Sequence, residues 1–282
     1  ASLRTLLVLG RVSNLPTVWT NCLAGWLLAG GGEWSRFAWL GAGATLVYVG
    51  GMFLNDAFDA EFDTQHRRER PIPSGAISRE AVWLWSAVLL AAGTGMLGWL
   101  GREPAILALQ LLVCVVLYDA FHKSLDWSPV LMASCRFFLL LTAAAAGPRG
   151  VDGLAIWTAV ALACYIIGLS YLARRESAPG LIRFWPLLFL VAPMVLAFIV
   201  NDGFFRERAL VASAMVALWA LRCLRPTLWQ SPPQVGKTVS GLLAGIFLVD
   251  LLPVADQPPQ VGVCFLACFG LALLFQRFVP AT

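Results

Sequence analysis

Ten apolar stretches follow one another along the chain, and nearly all are long enough to cross a bilayer as a helix. A hydrocarbon core needs about 20 apolar residues per helix, within a range of roughly 17–25. The chain is 59% hydrophobic and only 13% charged, which is more apolar surface than a soluble interior of this size can bury. We therefore predict an all-α, polytopic membrane bundle of nine to ten helices, with spans at 13–30, 37–58, 80–100, 104–121, 129–147, 153–173, 182–200, 207–224, 238–253 and 259–278.

The loops between these spans alternate in basic charge. Fourteen basic residues fall in one set of loops and five in the other, and the twentieth, Arg136, lies inside a span. By the positive-inside rule, the first set, which includes the longest loop at 59–79, faces the cytoplasm. We expect one transmembrane domain over residues 1–282 in a bacterial inner (plasma) membrane, with both chain ends and the polar mouth on the cytoplasmic side. The apolar N-terminus is expected to continue through Arg11 and Asn14 into the first span.

Three aspartates, Asp56, Asp59 and Asp63, lie where the second span ends. At 100° per residue they share a sector of about 60° on one helix face, one turn apart, with Asn55 beside them. Each costs roughly 2.5–3.5 kcal/mol at membrane depth, and like charges repel. Oxygen ligands without histidine or thiolate suit Mg²⁺, which usually adds water and phosphate oxygens to one or two carboxylates. The cluster predicts a Mg²⁺ site for a phosphorylated ligand; the alternative is a helix end frayed into solvent.

A basic loop follows the carboxylates at once. Arg67, Arg68 and Arg70 precede a Pro-Ile-Pro-Ser-Gly run that predicts a tight loop over the site. Arginine side chains bind phosphate oxygens in charge-assisted hydrogen bonds, although a positive-inside signal alone is the alternative. A diphosphate site at the mouth of an apolar bundle suggests an isoprenoid diphosphate, with its tail among the helices.

The carboxylate segment carries a resemblance to a known family. Asn55-Asp56-x-x-Asp59-x-x-x-Asp63 followed by Arg-Pro-Ile-Pro-Ser-Gly resembles the first aspartate-rich motif of the UbiA superfamily of intramembrane prenyltransferases. The resemblance extends over roughly residues 6–180 and implies an all-α membrane bundle, usually of nine helices, around one central cavity. Three further segments support it: Leu9-Gly10-Arg11-x-x-Asn14-x-Pro16, then Tyr118 with His122-Lys123, and then Met132-x-x-x-Arg136.

A second motif of the family is missing. The resemblance predicts Asp-x-x-x-Asp on the sixth helix, but the region from 165 to 177 contains Glu176 as its one acid, beside Arg174 and Arg175. Two arginines in place of two aspartates and their Mg²⁺ suggest direct guanidinium contacts to the diphosphate, with Glu176 as a further possible metal ligand. Two alternatives stay open: ionisation is lost and the protein only binds a lipid, or the segment is a plain basic loop.

Other polar residues inside the spans are further candidates. Tyr118 and Tyr171 can line the cavity, where a tyrosine face stabilises an allylic cation by roughly 0.5–2 kcal/mol. Asn14 and Asn21 share one face of the first span and either meet the acceptor or the aspartates, or bond another helix. Arg136 lies in a span and should face a partner or the cavity. No role is assigned to Asp250.

These observations favour one function among three. The favoured function is transfer of an isoprenoid group from an allylic diphosphate to an acceptor, with Mg²⁺ and release of pyrophosphate. The site would use Asp56, Asp59 and Asp63 as catalytic metal ligands, and Lys123 among the residues that bind the diphosphate. The alternatives are a UbiA-type terpene cyclase and a non-catalytic isoprenoid-lipid binder or flippase. The expected partners are the isoprenoid diphosphate, an unidentified acceptor and membrane lipid, and no nucleic acid.

Overall fold

The computed structural model describes residues 2–177, 185–201 and 204–279, without the side chains of 175–177, 204 and 205. These residues form helices and contain no strand. Short 3₁₀ turns at Val12–Asn14, Trp185–Val191 and Leu252–Val254 join or extend them. The helices are α1 (Leu3–Leu9), α2 (Leu15–Leu28), α3 (Trp34–His66), α4 (Arg79–Gly98), α5 (Arg102–Phe121), α6 (Ser128–Ala145), α7 (Gly153–Ser177), α8 (Ala192–Val200), α9 (Phe204–Leu228), α10 (Val235–Leu251) and α11 (Pro259–Phe275).

Nine of the ten predicted spans coincide with one helix each. The described part of the seventh, predicted at 182–200, is the 3₁₀ turn Trp185–Val191 followed by α8. The all-α membrane bundle is confirmed. Seven helices in the described part of the chain are long and apolar enough to cross a membrane: α3, α4, α5, α6, α7, α9 and α10. The predicted count of nine to ten membrane-spanning helices is met approximately. Three further apolar segments, α2, α11 and Trp185–Val200, are shorter than these seven helices. Large apolar side chains such as Leu84, Trp85 and Leu109 point outward, as expected of an integral membrane protein.

The N-terminus differs from the prediction of one continuous first span. Arg11 adopts φ 41° and ψ 48°, a left-handed conformation that is uncommon for a residue with a side chain. The helix therefore breaks there, and α1 is separate from α2. The new helix begins at Leu15 with Pro16 in its first turn, where proline lacks only an amide that would have no helical partner. The break places Arg11 beside α3, where it contacts Asn55 and Asp56.

Helix α3 is longer than the predicted span at 37–58. Its 33 residues extend about 50 Å at 1.5 Å per residue, well beyond a hydrocarbon core of about 30 Å. The extra turns carry the helix through the carboxylate segment to His66, so the aspartates stay on one regular helix instead of entering a loop. Their predicted stacking one turn apart is therefore preserved.

Helix α2 occupies the centre of the bundle and packs against α3, α6 and α10. Ten of its 14 residues are buried. The approach to α6 is so close that a Cβ on Gly25 would overlap the carbonyl oxygen of Leu140. Small residues permit such approaches between membrane helices, where packing replaces the hydrophobic effect. This centre holds the polar side chains described next at fixed positions.

Candidate active site

The aspartates lie on one face near the C-terminal end of α3. Asp56 is only 3% exposed, and Asn55 and Asp63 are also buried. The side chain of Asp59 is 16% exposed. Buried carboxylates at a helix end need cations or hydrogen-bond donors to offset the loss of water. The structure supplies these from three other parts of the chain.

Asp56 faces two arginines. Arg11 Nη2 lies 3.2 Å from Asp56 Oδ1, and Arg70 Nη1 lies 3.8 Å from the same oxygen. The Tyr48 hydroxyl donates to the backbone carbonyl of Arg11 at 3.1 Å, which helps to hold the left-handed turn. Left-handed conformations of this kind cost free energy and concentrate at functional sites. Arg11 thus reaches Asp56 only because the helix breaks where it does.

The basic loop contributes unequally to this site. Arg70 is largely buried, and that burial and the Arg11 charge lower its pKa, whereas Asp56 and Asp63 oppose the shift. Arg68 is exposed, and its Nε lies 3.4 Å from the carbonyl of Thr64 on its own helix. Of the three predicted arginines, Arg70 therefore joins the carboxylates most directly. Arg67 is partly buried at the end of α3.

Asp59 faces the segment that follows α5. Lys123 Nζ lies 2.7 Å from Asp59 Oδ1, and His122 Nε2 lies 3.6 Å from it. Burial disfavours the charged imidazole, but the hydrogen bond and charge of Asp59 outweigh it and raise the pKa of His122. The Tyr118 ring stacks on His122 with centroids 5.1 Å apart. The structure therefore places Lys123 beside Asp59 and Tyr118 against His122, and His122 is an addition to the predicted set.

Arg174 contacts the α5–α6 loop in this structure. Its guanidinium donates to the backbone carbonyls of Leu125 and Asp126 and lies 3.2 Å from the Asp126 carboxylate. It thereby holds the loop that carries Lys123. Tyr171 is partly buried one turn earlier on α7. The side chains of the predicted Arg175 and Glu176 lie outside the described residues.

Asn55 connects the carboxylate face to a residue that the sequence analysis missed. Its Oδ1 accepts from Arg11 Nη2 at 3.0 Å, and its Nδ2 donates to Asp119 Oδ1 at 3.0 Å. Asp119 is on α5 and is 4% exposed. A signal was present, since a carboxylate inside an apolar span needs a reason to be there. We call Arg11, Asn55 and Asp119 the Asn55 network.

A second network of the same kind crosses the centre of the bundle. Asn21 Oδ1 accepts from Arg136 Nη1 at 2.7 Å, and Asn21 Nδ2 lies 2.6 and 2.7 Å from the two oxygens of Asp250. Thr20 Oγ1 also donates to Asp250 at 2.6 Å, and Arg136 Nη2 donates to Thr17 at 2.8 Å. We call these five residues the Asn21 network.

The Asn21 network settles where two predicted site residues lie. Asn21 and Arg136 bond α2 to α6 and α10 instead of joining the carboxylates of α3, which is the interhelical alternative left open by the sequence. Asn14 is buried at the start of α2, and its carbonyl accepts from the Thr17 hydroxyl at 2.6 Å. Asp250, for which the sequence suggested no role, is the carboxylate of this network.

The donor chemistry of the carboxylate face fits Mg²⁺. Asp56, Asp59 and Asp63 offer oxygen ligands from one helix face. In the described part of the chain, no three acidic, histidine or cysteine side chains are close enough to hold an ion by themselves. Such a face suits a cation that takes one or two carboxylates and completes its shell with water and phosphate oxygens, which is the usual behaviour of Mg²⁺ in proteins.

The fold and site together define a helical membrane protein with a buried acidic and basic cluster at one end of an apolar bundle. The sequence model described as the UbiA prenyltransferase family matches residues 17–279. The chain therefore belongs to the UbiA prenyltransferase family, and the resemblance inferred from its motifs is confirmed. UbiA prenyltransferases are generally Mg²⁺-dependent.

Curated relatives match parts of the chain. Digeranylgeranylglyceryl phosphate synthase of Methanopyrus kandleri is 32% identical over 170 residues, which is 55% of this chain and 57% of that one. The synthase of Methanothrix thermoacetophila is 40% identical over 80 residues, 28% and 30% of the two chains. 4-Hydroxybenzoate octaprenyltransferase of Pectobacterium atrosepticum is 28% identical over 130 residues, 45% of each. The match thus spans between 30% and 57% of the length of these relatives.

Solved structures match the fold over nearly the whole chain. A UbiA homolog from Aeropyrum pernix superposes with a TM-score of 0.67 at 15% identity, covering 88% of this chain and 98% of that one. A second solved structure, whose description concerns the biosynthesis of digeranylgeranylglyceryl phosphate synthase in membranes, superposes with a TM-score of 0.63 at 18% identity. The superposition covers 96% of this chain and 98% of that one. At these identities the likeness concerns the fold alone.

Proposed function

We propose that this protein is an intramembrane prenyltransferase, which transfers an isoprenoid group from an allylic diphosphate to an acceptor, requires Mg²⁺ and releases pyrophosphate. One observation carries the proposal. Cationic side chains from three separate segments, Arg11, Arg70 and Lys123, converge on the carboxylates at one end of α3. A cluster with both charges recognises a ligand that brings its own anionic groups and a divalent cation.

The chain's residues have distinct parts in this reaction. Mg²⁺, when bound at the carboxylates, supplies positive charge to the diphosphate. The guanidinium groups of Arg11 and Arg70 and the ammonium of Lys123 stabilise the charge that develops on the leaving group, which is usually the largest single contribution to such catalysis. The C–O bond breaks with its electron pair on pyrophosphate, and the acceptor forms a bond to C1 and loses a proton. The face of Tyr118, stacked near the site on His122, is suited to stabilise the allylic cation.

The altered second motif is part of the proposal. Arg174 supports the diphosphate site by holding the loop that carries Lys123, while Arg175 and Glu176 would act on the diphosphate or its cation from the end of α7. Tyr171 would line the cavity beside them, and Arg67 and Arg68 would draw the anionic substrate towards the mouth.

The names of the relatives support the reaction class. One is a synthase of digeranylgeranylglyceryl phosphate and the other an octaprenyltransferase acting on 4-hydroxybenzoate. These names denote different acceptors. They support an isoprenoid diphosphate donor and a lipid-soluble acceptor for this chain, in line with the apolar bundle around the site.

We place the catalytic mouth on the cytoplasmic side of a plasma membrane, on the strength of the basic bias of its loops. Cysteine substitution at Thr64, near the end of α3, and at Gly150, between α6 and α7, tests the orientation in intact cells. An impermeant thiol reagent should label the Gly150 position from outside and leave the Thr64 position unlabelled. The opposite pattern would reject this orientation.

The proposed reaction is tested with purified protein, Mg²⁺ and geranylgeranyl diphosphate in lipid nanodiscs. Pyrophosphate release is measured with and without a lipid extract as the acceptor source, and products are identified by mass spectrometry. A prenylated product that requires the extract is expected. A terpene hydrocarbon or alcohol formed without an acceptor would instead identify a cyclase. Tight donor binding without pyrophosphate release would identify a lipid binder.

A further inference from the structure

A groove outside the carboxylate site lies where α9 ends, α10 begins and α11 ends. Its cavity volume is about 490 Å³, within the range of roughly 300–1,000 Å³ that is usual for ligand pockets. Two cations, Arg222 and Lys237, line it together with the polar side chains of Ser240 and Gln276 and the ring of Trp219. None of its lining residues contributes to the carboxylate site, so the groove is a second concave surface of the protein.

The groove carries positive charge that no acidic residue of the chain offsets locally. No aspartate or glutamate occurs in the stretches 208–249 and 257–282, which contain these helix ends. In the described part of the chain, Arg222 and Lys237 form no hydrogen bond or ion pair, and Arg222 Cζ lies 5.7 Å from the centroid of the Trp219 ring. The charge of both cations is therefore available to an anion from outside the protein.

Contacts between the three helices fix the walls of the groove. Trp219 Nε1 donates to the carbonyl of Gly241 at 2.7 Å, which joins α9 to α10. Gln276 Nε2 donates to the carbonyl of Ser240 at 3.1 Å, which joins the end of α11 to α10. Gly241 approaches α9 so closely that a Cβ there would overlap Cys223 Sγ. The groove is therefore a preformed feature of the helix packing.

The first turn of α10 adds hydrogen-bond donors to the same surface. Gln234 precedes the helix, and its side chain makes no capping hydrogen bond. Gly236 lines the groove, so that backbone is exposed there in place of a side chain. First-turn amides lack intrahelical acceptors, and together with the helix dipole they favour anions. The start of α10 thus adds to the attraction that Arg222 and Lys237 exert.

The groove becomes apolar one turn further from the helix ends, where Trp219 and Leu273 line it. Three leucines that are each next in sequence to a lining residue, Leu218, Leu221 and Leu274, are exposed. Because α9 is long and apolar enough to cross a membrane, these leucines are placed to face acyl chains. A free phosphate ion gains nothing from such a surface, whereas a phospholipid uses both the cations and the leucines.

We propose that this groove binds an anionic phospholipid, whose charged headgroup contacts Arg222 and Lys237 and whose acyl chains lie along α9 and α11. Both cations belong to the larger set of basic loops, which we place on the cytoplasmic side. Basic pockets between membrane helices on that side are suited to anionic headgroups. The inference does not depend on the proposed prenyl transfer, because it concerns a different part of the protein and no reaction.

Two double variants with the same change in net charge separate a site from a general attraction to the protein surface. Arg222→Gln with Lys237→Gln removes the cations of the groove. Arg225→Gln with Arg277→Gln removes two exposed cations near the same helix ends that do not line it. All four side chains are exposed, so the temperature of thermal unfolding should stay within about 2 °C of the wild type. A third variant, Ser240→Phe, fills the groove and keeps all four cations.

Affinity is measured by native mass spectrometry of the purified full chain in detergent. The probes are dioctanoyl phosphatidylglycerol, dioctanoyl phosphatidylcholine and inorganic phosphate. The wild type should bind phosphatidylglycerol at least about tenfold more tightly than either other probe, and the groove double variant should lose about that factor. Ser240→Phe should also weaken binding, and the control double variant should change it by less than about threefold.

The position of the lipid is tested by photo-crosslinking in phosphatidylcholine nanodiscs that contain a phosphatidylglycerol with a diazirine in its acyl chain. Crosslinks should concentrate in the peptides that contain Leu218 to Leu221 and Leu273 to Gln276, and they should decrease in the groove double variant. Crosslinks confined to other helices would overturn the inference.

Four further results would also overturn it. Equal weakening by the two double variants would show attraction to surface charge without a site, and equal binding of the two lipids would exclude recognition of charge. Inorganic phosphate that binds as tightly as phosphatidylglycerol would make the groove a site for a soluble phosphate compound. A dimer that Ser240→Phe abolishes would make a second copy of the chain the occupant. Because none of these measurements involves turnover, such a failure would leave the proposed function standing.

Discussion

Two asparagines of this bundle are each held between a guanidinium and a carboxylate, but the two networks differ in whether all their polar atoms have hydrogen-bond partners. In the Asn21 network, both oxygens of Asp250 accept hydrogen bonds, and Arg136 is bonded to Asn21 and Thr17. In the Asn55 network, Asp119 Oδ2 and Arg11 Nε are buried without a partner among the described residues.

This difference separates two uses of buried polar groups. A network whose members satisfy one another fixes helix positions, and removing one member leaves a charge uncompensated. A network with unpaired buried atoms is less favourable on its own, because those atoms have lost their contact with water and gained no partner within the protein. The Asn21 network joins α2, α6 and α10, and the Asn55 network lies next to the carboxylates of α3. The position of each network and the pairing of its polar atoms therefore lead to the same assignment. The Asn21 network holds helices together, and the Asn55 network belongs to the candidate site.

The largest effect is expected at the carboxylate between the two arginines. Asp56→Asn keeps the shape of the side chain and removes the charge that Arg11 and Arg70 share. Turnover should fall by at least about 100-fold, as for loss of a single preorganised group at a reacting centre. Pyrophosphate release at saturating Mg²⁺ measures it. Glu61→Gln, which alters an exposed carboxylate of the same helix, is the control. Near-normal turnover of Asp56→Asn would remove Asp56 from the site.

The next effect contrasts the two asparagines directly. Asn21→Ala removes the amide between Arg136 and Asp250 and should lower the free energy of unfolding by about 3 kcal/mol, the lower range for breaking a buried charged network. Asn55→Ala should cost less stability, because its neighbours already carry unpaired atoms, and it should lower turnover. Thermal unfolding in detergent and pyrophosphate release are compared for both variants. Equal losses in the free energy of unfolding of the two variants would contradict the distinction between the networks.

The sequence predicted the parts of this architecture that repeat or stack. Nine of the ten apolar stretches coincide with a helix because membrane spans are set by length and apolarity, and the seventh runs from a 3₁₀ turn into α8. The aspartates of α3 share a face because a helix rotates by 100° per residue. The break at Arg11 escaped prediction, since a left-handed arginine has no local signature. Its conformation depends on contacts with Tyr48, Asn55 and Asp56 that are far away in sequence.

The asparagine networks could be anticipated only in part. Arg136 and Asn21 were expected to face either a partner or the cavity, and the sequence offers no means to choose. Asp250, which accepts from Asn21, lies 229 residues away in the sequence, and single-sequence periodicity carries no information about such a pairing. Asp119 was missed for a similar reason: its partner is Asn55, on a different helix.

A third effect concerns the loop that joins α5 to α6. Arg174→Gln removes hydrogen bonds that hold this loop beside Asp59, so Lys123 loses its support. Affinity for the donor diphosphate should fall by about tenfold, the lower range for a charge-assisted hydrogen bond. Isothermal titration with a non-ionising thio-diphosphate analogue of the donor measures this affinity. Asp126→Asn, which alters an exposed carboxylate of the same loop, is the comparison. Unchanged affinity would leave Arg174 as a basic surface residue alone.

The smallest effect is a pH dependence at the carboxylate end, where His122 contacts Asp59. The pKa of His122 is raised by the hydrogen bond and charge of Asp59, which outweigh burial. A raised folded-state pKa means that protonated His122 stabilises the fold below its ordinary value of about 6.5, and that this contribution is lost as pH rises through the raised pKa. Between pH 6 and pH 8.5, wild-type thermal stability should therefore fall more than that of His122→Gln. Parallel profiles for the wild type and His122→Gln would show that the imidazole is neutral throughout, and that Lys123 alone compensates Asp59.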